Sequence, residues 1–201
     1  MPNTSQARAR IIAATLRIIG DDGIAAVTNR RIAKEAGVSL GSITYHFATQ
    51  HDLLRESLRS FVDQETRRFT DLAARYCAGR TSPEQAATLI GQVAADTAFD
   101  SEHIAPFELY LQAGRDPQLR AAAEECFAAY DRLAASLLGA IGTPDAERLA
   151  GPTVALIIGL QLRRLATGTS TDDLVDALLL LAGAPSQTAA VSARPGPPAR
   201  G

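Results

Sequence analysis

The chain holds little of what most active sites and membrane segments are built from. Its 201 residues include two cysteines, three histidines, one lysine and no tryptophan. Cys77 and Cys126 match neither metal-ligand spacing nor a disulfide framework. Both fall in helix-forming stretches, where a buried cysteine behaves as a small apolar residue, and a reducing cytoplasm is the expected compartment. Long hydrophobic runs are missing too. Residues 154–162 and 174–184 are well short of the ~20 residues a span needs, and Arg163-Arg164 close the first. The amino end is polar, without the apolar core of a signal peptide. These absences argue against secretion and membrane insertion. Of the histidines, His46 and His51 sit together near the amino end and His103 stands apart. No glycine-rich phosphate loop occurs, Glu124-Glu125 read as a solvated helix face, and Asp172-Asp173 as a helix start. No catalytic residues, metal site or cofactor are expected.

What is present is a soluble globular composition, 46% apolar and 21% charged. The net charge of −2 hides an asymmetry. Residues 1–60 carry eight basic side chains against five acidic, and the remainder twelve against seventeen. A basic head on an acidic body suits a protein of which one end meets a polyanion. Nineteen of the twenty basic residues are arginine, which with so much alanine also fits a GC-rich genome.

Almost the whole chain reads as helix, since Ala, Leu, Arg, Glu and Gln dominate and strand-like alternation is absent. Gly20-Asp21-Asp22-Gly23 end a first helix whose Ile12, Leu16 and Ile19 recur at helical spacing. A long amphipathic helix runs from about Gln50 to Cys77. Ser82-Pro83 start a helix to about Phe99, a stretch from Asp100-Ser101 stops near Gly114, and Asp116-Pro117 open a helix to Leu138. Thr143-Pro144 repeat that start signal for a helix to Ala166, and residues 172–184 close the folded part. Residues 185–201, rich in Pro, Ala, Gly and Ser, are expected to be disordered. The fold class is all-α: an N-terminal three-helix helix-turn-helix domain over residues 5–50 and a helical ligand-binding and dimerisation domain over 51–184.

The informative stretch is residues 28–47. Thr28 is an N-cap, and Ile32, Ala33 and Ala36 share one side of a short helix. Gly37 supplies the positive-φ residue that ends it, and Val38 plugs the corner. Ser39 caps a second short helix with Ile43 and Phe47 pointing inward. Two short helices joined by a glycine turn form a helix-turn-helix, whose second helix enters a DNA major groove. Its outward residues Leu40, Gly41, Ser42, Thr44 and Tyr45 are small or able to hydrogen-bond, so base edges can come close. Arg30, Arg31, Lys34, Tyr45 and His46 reach phosphates from the flanks, and the amides at Thr28 and Ser39 offer helix N-termini for the same purpose.

These residues resemble the tetracycline-repressor (TetR) type transcriptional regulators. The likeness lies in residues 23–28, 32–39, 41–47 and 52–54, and covers roughly residues 7–55. It implies an all-helical homodimer that binds a palindromic operator in double-stranded DNA, usually as a repressor, and is released by a small-molecule effector. It further implies that Asn29 and Arg30 touch the backbone or an edge base, that Leu40, Gly41, Ser42 and Thr44 face bases, and that Tyr45 and His46 grip phosphates. Two departures stand out. Many members carry an aromatic where Thr44 stands and a lysine where Gln50 stands. Without that lysine the salt dependence of binding is expected to be shallower by about one unit of log–log slope.

For the body, Leu149, Thr153, Leu156, Ile157 and Leu160, with Leu165 beside them, together with Leu174, Leu178 and Leu181, offer more apolar surface than a terminal helix pair in a monomer needs. Two such pairs would form a four-helix bundle across a two-fold axis, or these faces pack on their own domain. Phe99, His103, Phe107 and Tyr110 cluster near a helix break, and Gln161 and Arg164 are polar groups in an apolar helix. Such a mixture lines small-ligand pockets, though aromatic residues at helical spacing also make ordinary core. Against the regulator stand a helical enzyme, for which no constellation exists, and a module that binds another protein through the same helices. The module predicts no retardation of any DNA fragment.

Overall fold

The computed structural model describes residues 4–76, 101–140 and 142–168. Among them are seven α-helices and no strand. They are α1 (Thr4–Asp22), α2 (Asn29–Ala36), α3 (Leu40–His46), α4 (Gln50–Tyr76), α5 (Ser101–Ala113), α6 (Pro117–Ala140) and α7 (Ala146–Thr167). A single 3-10 turn, Ile24–Ala26, joins α1 to α2. Outside the described residues lie Cys77, the helix expected to end at Phe99, the helix expected over 172–184, and the tail over 185–201.

Packing divides the chain into two units. One comprises residues 1–72 and 98–133, the other residues 73–97 and 134–201. In the first unit, α1 buries Ile11, Ile12, Leu16, Ile18 and Ile19. The same core takes Ile32 and Ala36 from α2, Ile43 from α3, then Phe47, and Leu53, Leu54, Leu58 and Val62 from α4. Ala105 and Leu109 of α5 and Leu119, Ala123 and Cys126 of α6 join it. Each fully buried Leu or Ile stabilises by about 1.5–3 kcal/mol relative to exposure. The first four helices therefore share one core with α5 and the first half of α6.

Local chemistry sets most boundaries. Thr49 and Asp52 cap each other at the start of α4: Asp52 N–H donates to Thr49 Oγ1 at 3.0 Å, and Thr49 N–H to Asp52 Oδ2 at 3.2 Å. Asp116 Oδ1 accepts from the amides of Gln118 at 2.9 Å and Leu119 at 3.1 Å, so Asp116-Pro117 open α6 as the sequence predicts. One boundary differs from expectation. α7 begins at Ala146, two residues after Pro144, with Asp145 as its N-cap at a φ of 55°. Thr143 lies too early to cap α7 and belongs to the end of α6, where its amide donates to Leu138 O and Gly142 N–H to Gly139 O.

In the second unit α7 buries only Ala150, Thr153 and Val154. By length and composition alone it is apolar enough to cross a membrane, which the count of uninterrupted apolar runs does not reveal. It carries Glu147 and Arg148 in its first turn, Pro152 within it, and Arg163-Arg164 near its end.

Candidate nucleic-acid interface

The helix-turn-helix forms as its caps dictate. Thr28 Oγ1 accepts from Arg31 N–H at 3.3 Å, and Ser39 Oγ accepts from Ser42 N–H at 3.2 Å. Gly37 ends α2 at φ 59°, ψ 43°, a left-handed conformation that a side chain rarely adopts. Val38 N–H then donates to Ala33 O at 3.0 Å.

Long-range contacts hold this corner on its neighbours. Arg10 of α1 donates to Gly37 O at 2.9 Å. Arg17 pairs with Glu35 at 3.1 Å. Arg8 pairs with Glu56 of α4 at 2.5 Å and lies 5.5 Å from the centre of the Phe47 ring, tying the end of α3 to both helices. Gln50 Nε2 donates to Val27 O at 3.1 Å, fastening the start of α4 to the approach to α2.

The two faces of α3 are sharply different. Ile43, and Phe47 just after it, are buried, whereas Leu40 is 54% exposed and Tyr45 77%. Gly41 and Thr44 are exposed, and Ser42 and His46 half-buried with the His46 ring edge-on to Tyr45 at 5.1 Å. A side-chain carbon added at Gly41 would meet nothing within 4 Å, so that flank is bare. On α2, Asn29, Arg30 and Lys34 are exposed, and neither Arg30 nor Lys34 forms an ion pair among the described residues. Arg31 is bonded instead to Asp22, which draws its guanidinium back toward the end of α1.

The body residues are more scattered. Phe99, Leu174, Leu178 and Leu181 lie outside the described residues. His103, Phe107 and Tyr110 are half-buried on α5, with His103 edge-on to Phe61 at 5.9 Å and Tyr110 against Phe127 at 4.9 Å. Burial pushes the Tyr110 phenol well up, and that of Tyr130 likewise. The two phenols face each other, and this contact lowers the Tyr110 phenol against the larger effect of burial while raising that of Tyr130. Gln161 Oε1 of α7 is buried without a hydrogen-bond partner among the described residues. Arg164 is half-buried in the same helix. Thr153 is buried by its own chain, while Leu149, Leu156, Ile157 and Leu160 are half-buried and Leu162 is 49% exposed. Among the described residues no group of three or more His, Cys, Asp and Glu side chains could hold a metal ion.

Comparison with known proteins decides the family. Residues 11–57 match the family model described as bacterial regulatory proteins, tetR family, and residues 81–184 match the tetracyclin repressor-like C-terminal domain. The chain belongs to the TetR family.

Relatives of TetR type run along most of its length. The regulator BetI of Rhizobium meliloti (strain 1021) is 31% identical over 163 residues, covering 78% of this chain and 77% of that protein. The multidrug binding protein EbrR, solved with ethidium, superposes with a TM-score of 0.67 at 31% identity over 87% of this chain and 97% of that one. A regulator from Saccharomonospora viridis, solved with choline, gives 0.68 at 26% identity over 87% and 94%. The chain is thus a DNA-binding transcriptional regulator of the TetR family, with α2 and α3 as its helix-turn-helix. The sequence misses Arg8, Arg10, Arg17, Asp22 and Glu56, which position this element. Their partners lie nine to 48 residues away, beyond the reach of local pattern. Where many TetR members have lysine, Gln50 makes an internal bond.

Proposed function

We propose that this regulator is a cytoplasmic repressor that binds a palindromic operator as a homodimer and is released by a small molecule held in its body. The observation that carries the DNA reading is the split of α3, with Ile43 in the core and Leu40, Gly41, Thr44 and Tyr45 turned to solvent beside the exposed Arg30 and Lys34. In this reading Leu40, Gly41, Ser42 and Thr44 face bases. Arg30, Lys34, Tyr45 and His46 meet phosphate, and Asn29 meets the backbone or an edge base. Arg31, drawn to Asp22, must exchange one anion for another to join them.

The apolar and mostly unburied α7 supports the dimer, since two such surfaces meeting across a two-fold axis remove apolar area from water on both copies. The buried, unsatisfied Gln161 Oε1 of α7 supports a polar-anchored ligand in the body, because an unmet buried polar atom costs about 1–3 kcal/mol. The similar proteins solved with ethidium and with choline hold organic cations, and such compounds head the effector screen. Release follows if the ligand favours a spacing of the two α3 helices that no longer matches successive grooves, with α4 as the link.

Selection of bound fragments from the source genome, followed by gel retardation, tests the reading. A regulator retards one class of fragment carrying two half-sites about 34–36 Å apart. A protein-binding module retards none at moderate salt, and that result would end the proposal.

A further inference from the structure

We propose that α3 reads its operator chiefly through thymine methyl groups, which meet an apolar patch formed by Leu40 and the γ-methyl of Thr44. The inference rests on the regulator reading above and names the chemistry of the base contact. It starts from what α3 does not contain. The helix is Leu-Gly-Ser-Ile-Thr-Tyr-His, without arginine, lysine, asparagine, glutamine, aspartate or glutamate. Those are the side chains that make bidentate contacts to guanine and adenine or accept from cytosine. None is available from the helix that enters the groove.

What remains on the outer face is specific. Thr44 Oγ1 donates its hydrogen to Gly41 O at 3.1 Å, within the helix itself. Thr44 therefore has no donor left for a base; its oxygen can still accept, and beside it the group it brings forward is its methyl. Leu40 lies four residues earlier, one turn back on the same face, and is 54% exposed although it is fully apolar. Gly41, between them in sequence, carries no side chain, and its flank is open. A smooth apolar surface can thus approach the groove floor closely. The thymine C5-methyl is the one apolar group that floor displays, which makes it the fitting partner. The exposed Arg30 and Lys34 on α2 supply the charge that draws this surface to a phosphate-lined groove. Ser42, half-buried, and Tyr45, with its phenol in solvent, are left to hydrogen-bond at the edges.

The test uses the wild-type protein and the operator duplex selected from the genome. Each thymine of one half-site is replaced in turn by deoxyuridine, which differs only by the missing methyl. One or two positions per half-site are expected to weaken binding about fourfold each, the worth of a single buried carbon group. Thr44→Val, which keeps the methyl and loses the hydroxyl, retains that discrimination. Leu40→Ala combined with Thr44→Ser, which keeps the hydroxyl and removes the methyl, abolishes it. If every deoxyuridine duplex binds as tightly as its thymine form, or the double variant still discriminates, the methyl-reading proposal is overturned while the regulator stands. If the wild-type protein selects no fragment at all, both fail together.

Discussion

Helices α1 and α7 are close in length, 19 and 22 residues, and both are rich in apolar side chains, yet their surroundings differ. α1 buries seven residues, and its Ile11, Ile12, Leu16, Ile18 and Ile19 lie in one core with α2 to α6. α7 buries three, and Leu156, Ile157, Leu160 and Leu162 are left half-buried or exposed. The first helix is completed by its own chain and has one job, which is to hold the helix-turn-helix still. The second presents apolar surface that it does not bury among the described residues. Buried packing is therefore concentrated at the reading end and exposed apolar surface on α7, the distribution that the proposed dimer would use.

The sharpest way to break this contrast is to cut the same kind of side chain in both helices. Ile19→Ala should destabilise the protein by about 2–5 kcal/mol, because a buried isoleucine leaves a cavity. Leu162→Ala, at an exposed site, should stay within about 0.5 kcal/mol. Calorimetric melting of both variants at one protein concentration measures the difference, and equal losses would erase the distinction. Next in size is a charge on the α7 surface. Leu156→Glu with Ile157→Glu should halve the mass seen by light scattering and weaken operator binding at least about tenfold, a loss of about 1.4 kcal/mol. Unchanged mass would move the interface elsewhere.

Caps and turns were legible before any coordinates, because a cap is a bond between a side chain and amides two or three residues on. Thr28, Ser39 and Asp116 work this way, while Gly37, which has no side chain, ends α2 through its left-handed backbone. Thr143-Pro144 carried the same signal and misled, since Thr143 belongs to the end of the preceding helix instead. Local chemistry cannot say which of two adjacent helices a residue serves. The inward positions Ile32, Ile43 and Phe47 followed from helical periodicity, as did the exposure of Leu40 and Tyr45. The clasp from Gln50 to Val27 did not, because it spans 23 residues and exists only once α4 has docked. Effector candidates were hardest of all. Apolar rings at helical spacing look alike whether they make core or pocket, and the buried, unpartnered Gln161 oxygen is visible only once the helix is packed.

Two smaller effects refine the comparison within the rigid unit. Gln50→Ala removes one hydrogen bond and should cost about 0.5–1.5 kcal/mol in chemical denaturation, with tighter binding in low salt unaffected in slope. Weaker operator binding with unchanged stability would instead place Gln50 on phosphate, a neutral contact that leaves the salt slope alone. The weakest effect is a pH dependence. Burial pushes the Cys126 thiol up to about 11, while an unfolded thiol titrates near ~8.5. The folded state favours the neutral form, so this stability is whole below about pH 8.5 and falls as pH rises toward 11. In a Cys77→Ser background, native protein at pH 8 should react with a thiol reagent far more slowly than denatured protein. Equal rates would show that Cys126 is not shielded.

A co-crystal of the protein with its selected operator puts the central claim to the most direct trial. The account predicts both copies of α3 in successive major grooves on one side of the duplex, with residues 40–45 against base edges and Leu40 and Thr44 touching thymine methyls. An α3 facing away from the DNA, or walled in by the protein's own side chains, would contradict it.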